Sequence, residues 1–171
     1  MAFAVEGIAQ GGDSPGGESL EAKSLSCRSV SHCQKVFEEH WAEKGVKMQR
    51  VESSVATDVE ALLVANKQEV AASAQLNLKK ETEGIIFKDG AAASFGWEGT
   101  DKSTMSVPPA QYDKSGNTVI LHFHPNRNPY QTQLLPSQAD LIYSLKSNAI
   151  MVNMNPRNTS DYLIYRGVPS D

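Results

Sequence analysis

The sequence holds no run of about eighteen or more apolar residues, and that absence excludes a transmembrane helix. Positive charge is not in excess: 16 Lys and Arg stand against 20 Asp and Glu, a formal net charge of -4. A mildly acidic chain offers no electrostatic footprint for nucleic acid and no basic face for anionic lipid, so direct binding to either is not expected. Cysteine is scarce. Cys27 and Cys33 fit neither a Cys-x-x-Cys pair nor a zinc-knuckle spacing, and a bridge between them would close a very short loop. Free thiols in a reducing compartment are the expectation, with Cys33 packed against a core. There is no internal repeat and no long block of like charge. The opening MAFAVEGIAQGG has no Lys or Arg ahead of its short apolar run and carries Glu6, which makes it a poor secretory signal.

The chain of 171 residues, 40% of them hydrophobic, can bury one core without obligatory disulfide or metal staples. Residues 1–26, rich in Gly and Ser, read as a disordered leader or linker, and 27–171 as the folded domain. Within it, 27–80 reads as helical. Val30, Cys33, Phe37 and Trp41 recur at helical steps, Ser31 with Gln34 can form a capping box, and Gly45 can stop the helix. A second helix is expected from about Thr57, capped by Thr57 and Glu60, with Val59, Leu62, Leu63 and Val70 on one face. The period then changes. Gly84–Lys88 and Ala91–Trp97 flank Asp89-Gly90 as a hairpin. Pro108-Pro109 and Ser115-Gly116-Asn117 break and turn the path before the strongest strand, Thr118–His124. A helix from Ser137 to about Lys146 and strands at Ala149–Met154 and Asp161–Arg166 complete a mixed α/β (α+β) sandwich, a mixed sheet flanked by helices.

The chemistry concentrates in His122-Phe123-His124-Pro125 and Pro136-Ser137-Gln138-Ala139-Asp140. Alternate residues of a strand share a face, so His122 and His124 project together, roughly 7 Å apart at Cβ. Two imidazoles at that spacing can converge on one ion. Pro125 would end the strand and leave both at its C-terminal rim. Asp140, one turn into the next helix, is the candidate third ligand, and three protein ligands with an open position are the pattern of a catalytic zinc. Ser137 and Asp140 are equally the two ends of an ordinary capping box. His32 and His40 fall on the first helix as surface or packing residues.

These motifs resemble the JAMM (JAB/MPN) zinc metalloprotease family: an upstream glutamate, then His-x-His-Pro, then Ser-x-x-Asp. The Pro-Ser-x-x-Asp wording is similar to its bacterial branches, the RadC-like, phage-tail and toxin-associated domains. Glu81-Thr82-Glu83-Gly84-Ile85-Ile86 matches the upstream part, with Glu81 in the catalytic position and Glu83 as the competing acid. The resemblance spans 81–166 and leaves 1–80 unaccounted for. The segment 125–136 is longer than the family's usual spacing and would shape a substrate groove or lid. The resemblance implies a cytidine-deaminase-like sandwich fold and a zinc ion held by His122, His124 and Asp140. It also implies Glu81 as general base and Ser137 as donor to the oxyanion, in a hydrolase cutting an amide or isopeptide bond of a protein or peptide.

Two other classes compete. A non-catalytic module could keep the fold, but it would have little reason to retain Glu81, His122, His124, Ser137 and Asp140 together. A RadC-like DNA-associated protein is disfavoured by the net charge. The expected location is the cytoplasm, or outside the cell by a specialised bacterial secretion system that needs no cleavable signal, as for an effector or toxin domain.

Overall fold

The computed structural model describes residues 27–88, 91–98, 104–105, 118–125 and 134–170. The expected leader 1–26, the Asp89-Gly90 turn, the breaks at Pro108-Pro109 and 115–117, and most of the loop 125–136 lie outside them. Eleven elements follow in chain order. They are α1 (Val30–Ala42), β1 (Val46–Arg50), α2 (Ser53–Ala65), α3 (Lys67–Leu76), β2 (Glu83–Lys88), β3 (Ala91–Glu98), β4 (Thr104–Met105), β5 (Val119–Phe123), α4 (Gln138–Ser147), β6 (Ile150–Asn155) and β7 (Asn158–Pro169). The strands form one mixed sheet in the order β1-β7-β6-β5-β2-β3-β4. Its β5·β6 pair is parallel and the others are antiparallel. A parallel neighbour requires a crossover, and α4 supplies it.

Alternation along the central strands builds two cores. Val119, Leu121 and Phe123 of β5 join Ile85, Phe87, Val152 and Met154 under α2 and α3. Ile120 faces the other way, with Ile86, Met151, Leu163 and Tyr165, against Phe37 and Trp41 of α1 and Leu141 of α4. His122 shares the face of Ile120, so it points toward α1 and α4.

Three sequence expectations give way to local chemistry. The first helix is capped by Ser29 rather than Ser31, its Oγ accepting from His32 N at 3.1 Å. The second starts at Ser53, which places Thr57 one turn inside, its hydroxyl bonded back to Ser53 O at 2.9 Å. It also breaks at Asn66, whose side-chain amide donates to Leu62 O at 2.9 Å and competes with helix continuation. The third change is β1, an edge strand inside a stretch read as helical. Gly45, at φ 69°, turns the chain out of α1, and Val46–Arg50 then pairs antiparallel with β7.

The free-thiol expectation is also corrected. Cys27 and Cys33 form a disulfide, with Cα atoms 5.2 Å apart. The extended Ser29 N-cap folds the chain back over the first turn of α1, which brings six residues of separation within bridging distance. Cys33 is fully buried, as expected.

Gly167 sets how closely α4 approaches the sheet. A Cβ there would collide with the backbone carbonyl of Leu141. The Gly167 amide also donates to Ser144 Oγ at 2.8 Å, and that hydroxyl donates to Ala149 O at 2.8 Å. Gly167→Ala should therefore destabilise by at least about 1–3 kcal/mol, the ordinary cost of overpacking, read from the urea midpoint. A midpoint equal to wild type would contradict this close approach. Alkylation without reduction should leave both cysteines unlabelled by intact mass, and reduction should cost about 2 kcal/mol by loop entropy. Two labels on the unreduced protein would exclude the bridge.

Candidate metal centre

The parallel pair delivers the two histidines. His122 lies opposite Asn153 in the β5·β6 register, and the His124 amide extends the ladder by donating to Met154 O at 2.9 Å. Both side chains are buried, and their rings meet edge to face with centroids 4.6 Å apart. Glu81 arrives from the turn between α3 and β2. Asn77 holds that turn: its Oδ1 accepts from the amides of Thr82 (2.6 Å) and Glu83 (3.2 Å), and its Nδ2 donates to Ser73 O (2.6 Å). The turn buries Glu81 beside the histidines, while Glu83 takes the first position of β2 and is half-buried.

Ser137 and Asp140 form the capping box of α4. Ser137 Oγ accepts from Asp140 N at 3.1 Å, and Asp140 Oδ2 accepts from Ser137 N at 2.9 Å. Asp140 is nonetheless fully buried and faces the histidines, so the cap and the site are the same carboxylate. Helix α1 braces this corner. Trp41 Nε1 donates to Pro136 O at 2.7 Å and Gln138 Nε2 donates to His40 O at 2.8 Å. Nothing in the sequence pattern linked the first helix to the site. His40 is a packing residue and His32 a surface one.

Four separations define the cluster. Glu81 Oε1 lies 3.3 Å from His122 Nδ1 and 3.4 Å from His124 Nε2. Asp140 Oδ2 lies 3.6 Å from His122 Nε2 and 3.4 Å from His124 Nε2. The Glu81–His122 contact is a long hydrogen bond, and the other three lie beyond the ordinary N–H···O range of about 2.7–3.2 Å. The 3.6 and 3.4 Å separations of Asp140 Oδ2 from the Nε2 atoms of His122 and His124 lie near the edge of a tetrahedron with metal–ligand bonds of about 2.0–2.1 Å, whereas Glu81 meets His122 at its other nitrogen, Nδ1. Glu81, His122 and His124 offer ligand atoms all within 4.8 Å of one another, close enough to hold a metal ion. Asp140, expected as the third ligand, adjoins that trio from the Nε2 side of His122. Its Oδ1 is buried without a hydrogen bond, as expected of a group awaiting a ligand.

No family model, no curated protein and no solved structure matches the chain. The site is therefore read from its own geometry. Among the described residues no helix is long and apolar enough to cross a membrane.

Burial holds the His122 pKa below its ordinary value of 6.5, against the opposing pull of the Asp140 charge and of Asn153. The neutral imidazole is the form that ligates a metal. Burial also raises the Tyr165 phenol well above its usual range, reinforced by Asp140 and Glu81, so it stays a donor. Because the folded state resists protonating His122 and the unfolded chain does not, the unfolded state binds more protons below pH 6.5. Metal-stripped protein should thus lose stability as the pH falls through 6.5, seen as a lower urea midpoint at pH 5.5 than at pH 7.5. A His122→Gln variant should lose less over the same interval. Equal losses would remove His122 as the cause.

Proposed function

We propose that this protein is a zinc-dependent hydrolase of amide or isopeptide bonds, with the JAMM-like site that its motifs resemble and a JAB/MPN-like fold around it. The observation that carries the reading is the set of 3.3–3.6 Å separations among two buried imidazoles and two buried carboxylates. His122, His124 and Asp140 would hold the ion, a donor set of two imidazoles and one carboxylate that suits zinc. Zinc bound there would supply Lewis acidity, lowering the pKa of water and polarising a carbonyl.

The chain's own groups supply the rest. Glu81 Oε1, against the opposite side of His124 Nε2, is placed to take a proton from the attacking water and return it to the leaving amine. Ser137 Oγ accepts from Asp140 N, which leaves its own proton to donate to a carbonyl oxygen as negative charge develops there. The buried apolar walls of α1 and β5 keep these contacts in low dielectric, where each is stronger. The substrate in this reading is a protein or peptide. The disulfide fits an oxidising setting and so favours export over the cytoplasm.

A second arrangement is favoured by the mutual closeness of Glu81, His122 Nδ1 and His124 Nε2: Glu81 as third ligand in place of Asp140. Two variants separate them. In the first arrangement Asp140→Asn weakens zinc binding strongly, whereas Glu81→Gln leaves zinc near one per chain and lowers turnover of a peptide or isopeptide panel about 10²–10⁴-fold. In the second, Glu81→Gln strips the metal. Wild-type protein that binds no zinc, or binds iron in preference, would overturn the hydrolase reading. Zinc at one per chain in a Glu81→Gln variant as active as wild type would remove Glu81 from the chemistry.

A further inference from the structure

Leu134, Leu135 and Pro136 stand immediately ahead of the Ser137 N-cap and belong to none of the strands or α-helices. Their backbone groups therefore have no ladder to satisfy them, and Pro136 has no N–H to donate. Two carbonyls of this stretch are instead taken up by side chains from two different elements. From the sheet, Asn153 Nδ2 donates to Leu134 O at 2.9 Å. From α1, Trp41 Nε1 donates to Pro136 O at 2.7 Å. Both donor residues are buried. Asn153 lies in the middle of β6, within the otherwise apolar run Ile150–Val152 and Met154. Tyr165 Oη, on β7 and fully buried, donates to Asn153 Oδ1 at 2.9 Å. A backbone carbonyl can only accept, so Nδ2 faces Leu134 and Oδ1 takes the tyrosine hydroxyl, which leaves the amide one orientation.

We propose that Asn153 and Trp41 are positioning residues that clamp Leu134–Pro136 and thereby set Asp140 against the two histidines. The inference rests on the reading of Asp140 as a metal ligand. Ser137 follows Pro136 directly, and its extended backbone (φ -71°, ψ 165°) and side chain fix the first turn of α4. Within that turn Asp140 Oδ2 accepts from Ser137 N at 2.9 Å and lies 3.4 Å from His124 Nε2 and 3.6 Å from His122 Nε2. No residue lies between the clamped carbonyl of Pro136 and the cap, so any rotation of the clamped stretch is passed to the carboxylate. A buried amide costs stability relative to an apolar residue unless it is hydrogen-bonded. Apolar contact, for its part, is non-directional. Hydrogen bonds to two carbonyls two residues apart fix both the place and the rotation of the stretch, which packing alone would not.

The test uses Asn153→Leu, which removes the donor to Leu134 O, and Trp41→Phe, which keeps an aromatic ring and removes the donor to Pro136 O. Val59→Ala, in the core on the other face of the sheet, is the control that lowers stability alone. In chelator-treated protein, amide hydrogen exchange at Ser137 and Asp140 is measured relative to Ile86 and Ile120 of the β2·β5 ladder. That ratio should rise about tenfold in either clamp variant and stay as in wild type in Val59→Ala. Zinc competition against a chromophoric chelator should show affinity about 10–100-fold weaker in both clamp variants and unchanged in Val59→Ala. Should Asn153→Leu fail to fold, Trp41→Phe decides by the same two readouts. Clamp variants whose melting temperature falls while exchange ratio and zinc affinity match Val59→Ala would overturn the proposal and leave both as packing residues. A raised ratio with unchanged zinc affinity would overturn it too, where Asp140→Asn weakens zinc in the same titration. If Asp140→Asn leaves zinc binding unchanged, or wild type binds none, the reading of Asp140 as a ligand fails instead, and the exchange ratio alone decides the clamp.

Discussion

Two carboxylates and two imidazoles share one dry corner of this protein, and the surrounding structure depends on balancing their charge. Glu81, His122, His124 and Asp140 are each 4% exposed or less. Moving an ion out of water costs several kcal/mol even after relaxation. Protonating His122 is one remedy, but its burial works against that form. The N-terminal amides and dipole of α4 offset part of the Asp140 charge. Glu81, His122 and His124 also lie close enough together to hold a metal ion, and a cation there would offset much of the rest.

Several parts of this corner were legible in the sequence because their signals are local. Alternating His122 and His124 at the end of an apolar strand can only share a face, and Pro125 can only end it. Ser137 and Asp140 read as a cap, and they are one. The capping reading and the site reading looked like competitors along the chain, yet one carboxylate satisfies both. Its Oδ2 accepts from Ser137 N and also lies 3.4 Å from His124 Nε2. The mixed α/β character followed from the change of period near residue 81.

What stayed illegible depends on distant contacts. β1 is five residues with only Val46 and Met48 apolar, too brief for periodicity, and it becomes a strand because β7 offers a free edge. The disulfide follows from the Ser29 cap, which folds the chain back, and not from spacing. Choosing Glu81 over Glu83 required the Asn77 turn, because two acids two residues apart look alike until the backbone is fixed. Asn153 did leave a trace: a lone amide within AIMVNM is an anomaly in a core strand, and such anomalies have a partner to explain them.

The role of α1 follows from the same constraint. A site whose ligands come from the turn before β2, the end of β5 and the first turn of α4 is only as rigid as the joints between those elements. The β5–β2 joint is a sheet ladder and needs no help. The joint to α4 is different, because side-chain contacts rather than a ladder make it. Trp41, from outside the motif, and Gln138, from within it, make this joint by locking Pro136 and His40 across the α1–α4 contact. Asn153 does the same from beneath by holding Leu134 O. Asp140 is thus positioned by contacts to the backbone on both sides of its own loop end. The place of Asp140 therefore depends on Trp41, Gln138 and Asn153 as much as on its own capping box with Ser137.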